Sequence, residues 1–381
     1  MNLADDPFLA IANTMENRYI KEWQKDGKKV IGYYCTYIPD ELLDAGGFLP
    51  FRIRATGNKS TELGDMYMVR FTCSFVRATL DLALKGGLDF LDGYLICNSC
   101  DHSRRMYEIF DMRVFNNREG FTKEVPRFYL SVPHIISEEA FDWFRKETGE
   151  LKHELEEQYQ IKITNEQLEN SIRIYNENRT LLKKIYDLRL ENTPKLTAGE
   201  ALQISLANSS IPKAMANKEL KRLLTFLEER EGIKREGKRI LLSGSIVDDV
   251  EFLDLIENAG GLIVSDLMCF GFRNSIDNVD LQGDPLEQIS RRTYFRMSCP
   301  RMMDDHEKRW QFLKKEIKRA NVDGVILQRI NNCDLHGCDN MLFEHELKEL
   351  DIPVFNIDRE YFQTDSSRLQ TRIEAFLEML N

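Results

Sequence analysis

The chain has 381 residues, 42% of them hydrophobic and 30% charged. That length suggests two or three domains, and the composition excludes collagen-like, low-complexity and disulfide-scaffold classes. With a net charge of −11 and no local block of Lys or Arg, nucleic-acid binding is excluded as well, because a polyanion meets net repulsion.

Residues 1–28 read as an amphipathic helix, with Phe8, Ile11, Ala12, Met15 and Tyr19 at helical spacing. No basic start leads into an apolar run, so no signal peptide is expected. No later stretch reaches the roughly 18 apolar residues of a membrane span. The expected location is the cytoplasm, with no membrane partner.

The apolar run over 30–34 has the length of a buried strand. Pro39 suits the first turn of a short helix and Gly46-Gly47 its end, before an extended stretch over 48–53. Cys73 opens a predicted helix over 74–85. A strand over 90–97 runs into Asn98-Ser99-Cys100-Asp101, and a further strand covers 129–132. Residues 137–191 change to long charged helical patterns, with Thr164 or Asn165 and Gln167 forming a helix start. Residues 196–230 are also helical, and a new strand begins near Arg239.

The two ends of the chain repeat one order of features. A strand, a helix and Ala45-Gly46-Gly47 recur as a strand, a helix and Ala259-Gly260-Gly261. Asp92-Gly93 opens the run ending at Cys100-Asp101, as Asp323-Gly324 opens the run ending at Cys333-Asp334. This predicts an α/β fold of two similar doubly wound, flavodoxin-like lobes. The expected division is an N-terminal lobe over 1–136, a helical bridge over 137–236 and a C-terminal lobe over 237–381.

The eight cysteines then carry the chemistry. Ligands of parallel α/β sheets bind at the C-terminal ends of the strands. Cys100 and Cys333 each follow such an end, and Cys73 lies at a loop-to-helix junction, where amide N–H groups favour a thiolate. Cys97-x-x-Cys100 is a single close pair, which zinc or a redox dithiol would also use, though Cys97 falls inside a strand. Cys35 and Cys338 read as structural or incidental. From spacing alone, an iron–sulfur cluster and inert thiols both stay open.

The sequence resembles the (R)-2-hydroxyacyl-CoA dehydratase subunits and the related subunits of ATP-dependent benzoyl-CoA reductase. The resemblance rests on an ordered set that spans nearly the whole chain: residues 31–41 with Ala45-Gly46-Gly47, Cys73-Ser74-Phe75-Val76-Arg77, residues 97–105, Cys269-Phe270-Gly271-Phe272-Arg273, Cys299-Pro300-Arg301, and Asp323-Gly324 leading to Cys333-Asp334. It implies a [4Fe-4S] cluster held by Cys73, Cys100 and Cys333, with a fourth position not filled by a protein thiol. It also implies an acyl-CoA substrate, a homologous second subunit, a separate ATP-hydrolysing iron–sulfur activator and a ferredoxin-type donor upstream. The expected function is low-potential single-electron delivery in a benzoyl-CoA reductase-like enzyme, with a 2-hydroxyacyl-CoA dehydratase subunit or a non-catalytic electron relay as alternatives.

The motifs at Cys269 and Cys299 look more like the reductase side. They also keep open a likeness to double-cubane cluster proteins, which use six cysteines. No extra Cys-Pro pair lies between Cys73 and Cys100 to favour that alternative. An external ATPase agrees with the absence of G-x-x-x-x-G-K-[ST], since Ser243-Gly244-Ser245 lacks the lysine. His102 is a candidate proton donor, with a capping role as its competitor. Arg104 and Arg105 are candidates for CoA phosphates, with an ion pair as theirs.

Overall fold

Strands form where apolar runs of four to seven residues meet burial on both faces. The computed structural model describes residues 3–115, 118, 121–234, 236–362 and 366–380. The first half contains strands β1 (Val30–Tyr34), β2 (Leu49–Arg52), β3 (Gly93–Cys97) and β4 (Arg127–Leu130). The second contains β5 (Lys238–Gly244), β6 (Gly261–Asp266), β7 (Gly324–Ile330) and β8 (Val354–Arg359). They make two four-stranded sheets of matching order, β2-β1-β3-β4 and β6-β5-β7-β8. Every pair in them is parallel. Side chains of β1, β3 and β6 are buried throughout, as parallel strands with both faces covered require.

Fourteen α-helices are described. They are α1 (Arg18–Lys25), α2 (Asp40–Ala45), α3 (Glu62–Asp65), α4 (Ser74–Leu84), α5 (Asp101–Ile109), α6 (Glu138–Tyr159), α7 (Asn165–Asp187), α8 (Ala198–Asn208), α9 (Lys213–Glu229), α10 (Val250–Asn258), α11 (Pro285–Phe295), α12 (His306–Arg319), α13 (Asp334–Glu349) and α14 (Ser366–Glu378). The fold is the expected α/β pair of flavodoxin-like lobes, with α6 to α9 between the sheets in sequence. Thr164 begins α7 by a capping box: its hydroxyl accepts the Gln167 amide, and Gln167 accepts the Thr164 amide.

The N-terminal segment departs from the expected continuous helix. Two 3-10 turns, Leu3–Asp5 and Leu9–Asn13, precede α1. Two polar side chains break the run. Buried Asp6 accepts the Phe8 amide, and Asn17 caps α1 by accepting the amides of Tyr19 and Ile20. The apolar residues still find a core: Leu3, Phe8, Leu9 and Ile11 pack with Ile185, Leu220 and Leu223 of α7 and α9.

In each sheet the strand order reverses beside its first strand, between β1 and β3 and between β5 and β7. Ligand crevices of such sheets open there. Gly244 closes β5 at one of these points. It holds φ +136°, and a side chain would collide with the Gln328 carbonyl of β7.

Buried polar bonds join the two halves at these edges. Arg301 donates to the carbonyls of Asn98 and Ser99 at 3.2 and 3.1 Å, and to those of Val132 and Pro133 at 2.8 and 2.7 Å. Arg52 donates to the Cys269 carbonyl at 2.6 Å, and the Tyr361 amide to Ser74 at 2.8 Å.

Candidate functional site

One cavity lies where these edges meet. Its volume is about 130 Å³, and its walls include Cys35, Cys73, Cys100, Cys269, Cys299 and Cys333. Six of the eight cysteines therefore face a common space. Cys97 is fully buried within β3 outside the lining, and Cys338 is exposed. The apolar part of the wall includes Ile53, Phe75, Val76, Ile246, Ile330 and Leu335.

Three of these cysteines are helix N-caps. Cys73 begins α4, Cys100 begins α5 and Cys333 begins α13. Each sulfur thus sits against the positive end of a helix. Cys100 also forms a capping box: its Sγ accepts the Ser103 amide at 3.4 Å, while Ser103 Oγ accepts the Cys100 amide at 3.1 Å. Burial outweighs these favourable ends. It pushes Cys73 up to about 12 and raises Cys100 and Cys333, with the thiols adding to one another's shifts. Raised in this way, the three groups hold their protons as neutral thiols.

The other three lie in loops among arginines. Cys35 follows β1 directly, with φ 83°. Its thiol is held well below the ordinary value by hydrogen bonding from Cys97, aided by the Tyr37 amide, Ser99 and Arg301 against burial. Cys97 in turn is pushed up and keeps its proton. Cys269 Sγ accepts from Arg52 at 3.2 Å. Its loop is shaped by Asp266, which accepts the amides of Met268 and Phe272 and pairs with Arg189 at 2.7 Å. The Cys299 amide donates to Tyr37 Oη at 3.3 Å.

Arg273 completes the wall. It is 6% exposed, yet among the described residues its guanidinium has no hydrogen-bond or ion-pair partner. The nearby thiols of Cys299, Cys269 and Cys35 raise its pKa against the opposing effect of burial. A buried, unpaired guanidinium facing thiols fits an anionic occupant. Among the described residues, no three His, Cys, Asp or Glu side chains converge tightly enough for one metal ion. Thiols spread around a cavity suit a polynuclear group better than a zinc-type centre with about 2.3 Å bonds to one atom. The donor set and the orphaned cation therefore fit an iron–sulfur cluster.

The other predicted site residues lie outside the lining. His102 Nδ1 accepts the Cys73 amide at 3.3 Å, which places its ring proton on Nε2. Arg104 and Arg105 are exposed, and both pair with Asp101 at 2.7 Å. Sequence reasoning missed Cys35 as a cavity residue, and it quoted Arg273 and Arg301 as motif residues without assigning them a role. The strand-end rule that selected Cys100 applies equally to Cys35, directly after β1.

A family model described as 2-hydroxyglutaryl-CoA dehydratase, D-component, matches residues 35–380. The chain belongs to this family. It is 27% identical over 384 residues to the (R)-phenyllactyl-CoA dehydratase beta subunit of Clostridium sporogenes, covering 100% of both chains. It is also 27% identical to a benzoyl-CoA reductase subunit of Thauera aromatica, over 88% of this chain and 87% of that one. To the beta subunit of (R)-2-hydroxyglutaryl-CoA dehydratase of Acidaminococcus fermentans it is 23% identical, over 95% of each. The family is thus one of enzyme subunits of both the dehydratase and the reductase kind, and this chain is a subunit of one kind or the other. Among the described residues no helix is long and apolar enough to cross a membrane.

Proposed function

We propose that this chain is the cluster-bearing subunit of a benzoyl-CoA reductase-like enzyme acting on an acyl-CoA, with Cys73, Cys100 and Cys333 holding a [4Fe-4S] cluster. The observation that carries this reading is the meeting of three helix-capping thiols and an unpaired Arg273 in one cavity. When bound, such a cluster supplies one-electron transfer at low potential. The residues of this chain hold and tune it. Helix ends favour the thiolates, Arg273 offsets negative charge, and the apolar wall keeps water out. His102 fixes the backbone at Cys73, and Ser103 fixes Cys100.

At about 130 Å³ the cavity falls below the roughly 300–1,000 Å³ of small-molecule pockets, so it suits a compact group rather than a whole acyl-CoA. The acyl-CoA then needs surface beyond the cavity, to which a homologous second subunit contributes. The apolar segment before Cys73 supports such docking, with Met66, Val69 and Phe71 at 72%, 63% and 80% exposure. Energy for the electron comes from a separate iron–sulfur ATPase fed by a ferredoxin-type donor.

A second reading has one observation in its favour. Cys35, Cys269 and Cys299 face the same space, so six thiols are available to a larger, double cluster. Iron content separates the two readings, at about four or about eight irons per chain.

The functional reading is tested by anaerobic reconstitution with the second subunit and the ATPase, omitting one component at a time. Benzoyl-CoA and a 2-hydroxyacyl-CoA are supplied in parallel, and ATP use is followed with product. Turnover of benzoyl-CoA that requires every component is expected. Turnover of the 2-hydroxyacyl-CoA alone assigns the dehydratase role instead, and turnover by this chain with dithionite and no ATPase overturns the external-activator reading.

A further inference from the structure

A second pocket, of about 390 Å³, opens beside α11 and is lined by Asp277, Asn278, Asp280, Gln288, Arg291, Arg292, Phe295 and Arg296. Its volume lies within the range of small-molecule sites. Its arginines differ in kind. Arg291 is spent on Glu138, at 2.7 Å. Arg292 and Arg296 have no carboxylate in ion-pair range among the described residues. Arg292 instead donates to the backbone carbonyls of Asn274, Ile276 and Asp277. Burial, with Arg179 and Arg296 beside it, pulls its guanidinium down to about 9.

Arg296 is 3% exposed, and its Nε is buried without a hydrogen-bond partner. Its other contacts are neutral: the hydroxyl of Thr36, the side-chain oxygen of Asn274 at 3.4 Å, and the face of Tyr37. Arg296, with an unused buried N–H and no carboxylate contact, leaves positive charge uncompensated, whereas Glu41 and Asp40 act on Arg292 from beyond ion-pair range. Asp277 and Asp280 do not supply the balance, because both are exposed to water at the rim. One Asp280 oxygen already accepts the Gln282 amide. A tetrahedral oxyanion would meet both guanidiniums, with Gln288 and Asn278 as further donors.

The position adds a second argument. Arg296 bonds to Thr36, which itself lines the thiol cavity, and Cys299 follows three residues later. One side-chain pair, Arg296 and Thr36, thus links the wall of this pocket to the wall of the thiol cavity. We propose that this pocket binds the phosphate groups at the nucleotide end of coenzyme A, through Arg292 and Arg296. The proposal rests on the acyl-CoA reading, and it replaces Arg104 and Arg105 as the phosphate contacts.

The test is equilibrium binding of CoA, pantetheine and inorganic phosphate to the anaerobically purified full chain. Wild type, Arg292→Gln, Arg296→Gln, Arg292→Lys and the Arg104→Gln/Arg105→Gln double variant are compared, with iron content as the check on folding. CoA is expected to bind more tightly than pantetheine or phosphate. Arg292→Gln and Arg296→Gln should each weaken CoA by at least about tenfold and leave pantetheine unchanged, while Arg292→Lys recovers part of the loss. If Arg296→Gln loses its iron, Arg292→Gln decides alone. Unchanged CoA affinity in Arg292→Gln overturns the site, as does phosphate binding as tightly as CoA. Loss of CoA binding in the Arg104→Gln/Arg105→Gln variant alone also overturns it, and leaves the acyl-CoA reading standing. Absence of CoA binding by wild type overturns the site too, and turnover in the reconstituted system then decides the acyl-CoA reading separately.

Discussion

The two sets of cysteines around the cavity are held by different physics. Cys73, Cys100 and Cys333 each cap a helix, and no arginine hydrogen-bonds to any of their sulfurs among the described residues. Cys35, Cys269 and Cys299 sit in loops with Arg52, Arg273 and Arg301 around them. A helix end is a fixed half-charge that weakens quickly with distance, and burial overrides it for Cys73. A guanidinium is a full charge, and together with the Cys97 hydrogen bond it helps keep Cys35 down. Burial therefore keeps the capping set protonated, whereas in the loop set Cys35 is biased toward charge and Cys299 is raised by burial, with Arg273 opposing the rise. This is the arrangement expected if the first set binds the cluster and the second sets its electrostatic surroundings.

The largest expected effect breaks the contrast outright. Cys73→Ala or Cys333→Ala should remove the iron from anaerobically prepared protein, whereas Cys97→Ala should keep it, since Cys97 lies outside the lining. Iron and sulfide analysis of each variant reads the result, and iron retained in Cys333→Ala would assign the ligands elsewhere.

Next comes the link between the sets. Arg301, beside Cys299, spends its guanidinium on four backbone carbonyls of the loops that follow β3 and β4. Arg301→Met leaves those carbonyls unpaired and should lower stability by about 3 kcal/mol, from charged hydrogen bonds worth about 1.5–3 kcal/mol each with partial rescue by water. Chemical denaturation measures it, and a change below about 1 kcal/mol would mean that the two halves are joined by other contacts.

Thiol titration separates one member of each set, Cys35 and Cys73. In protein stripped of metal, the Cys35 thiol is held well below its ordinary value by the Cys97 hydrogen bond, while Cys73, pushed up to about 12, stays protonated at neutral pH. Alkylation at pH 7 should therefore favour Cys35 over Cys73 by at least about 100-fold, and the preference should shrink as pH rises toward 12. Mass-spectrometric mapping against pH follows this, and equal rates at pH 7 would remove the proposed difference.

The smallest effect sharpens the role of the loop set. Arg273→Met removes a buried cation from the cavity wall. Reduction adds negative charge, so the midpoint potential should move more negative by about 60 mV, equivalent to about 1.4 kcal/mol for one electron. Arg273→Lys should recover much of the shift, and an unchanged potential would place the cation out of electrostatic reach.

Much of this was legible in the sequence because strand ends and helix starts are local. The run over 30–34 folds as β1 with those bounds, and Cys73 directly precedes α4. The parallel order of features in the two halves became two sheets of matching strand order. What stayed hidden depends on tertiary contact. Arg273 and Arg301 are ordinary charges in the sequence, and only packing shows that one is unpaired and the other bonded to four carbonyls. The lead-in over 1–28 misled because helical spacing is blind to local caps, and Asp6 and Asn17 divide it. Cys35 was legible by the strand-end rule, directly after β1, and was passed over because it was read as structural or incidental.

The central claim is that the cavity holds an iron–sulfur cluster on the capping set. Metal and acid-labile sulfide analysis of the anaerobically purified wild-type chain, with EPR after reduction, tests it most directly. The account predicts about four irons and four sulfides per chain and a paramagnetic reduced cluster. Zinc in place of iron, or a metal-free chain that resists reconstitution with iron and sulfide, would contradict it.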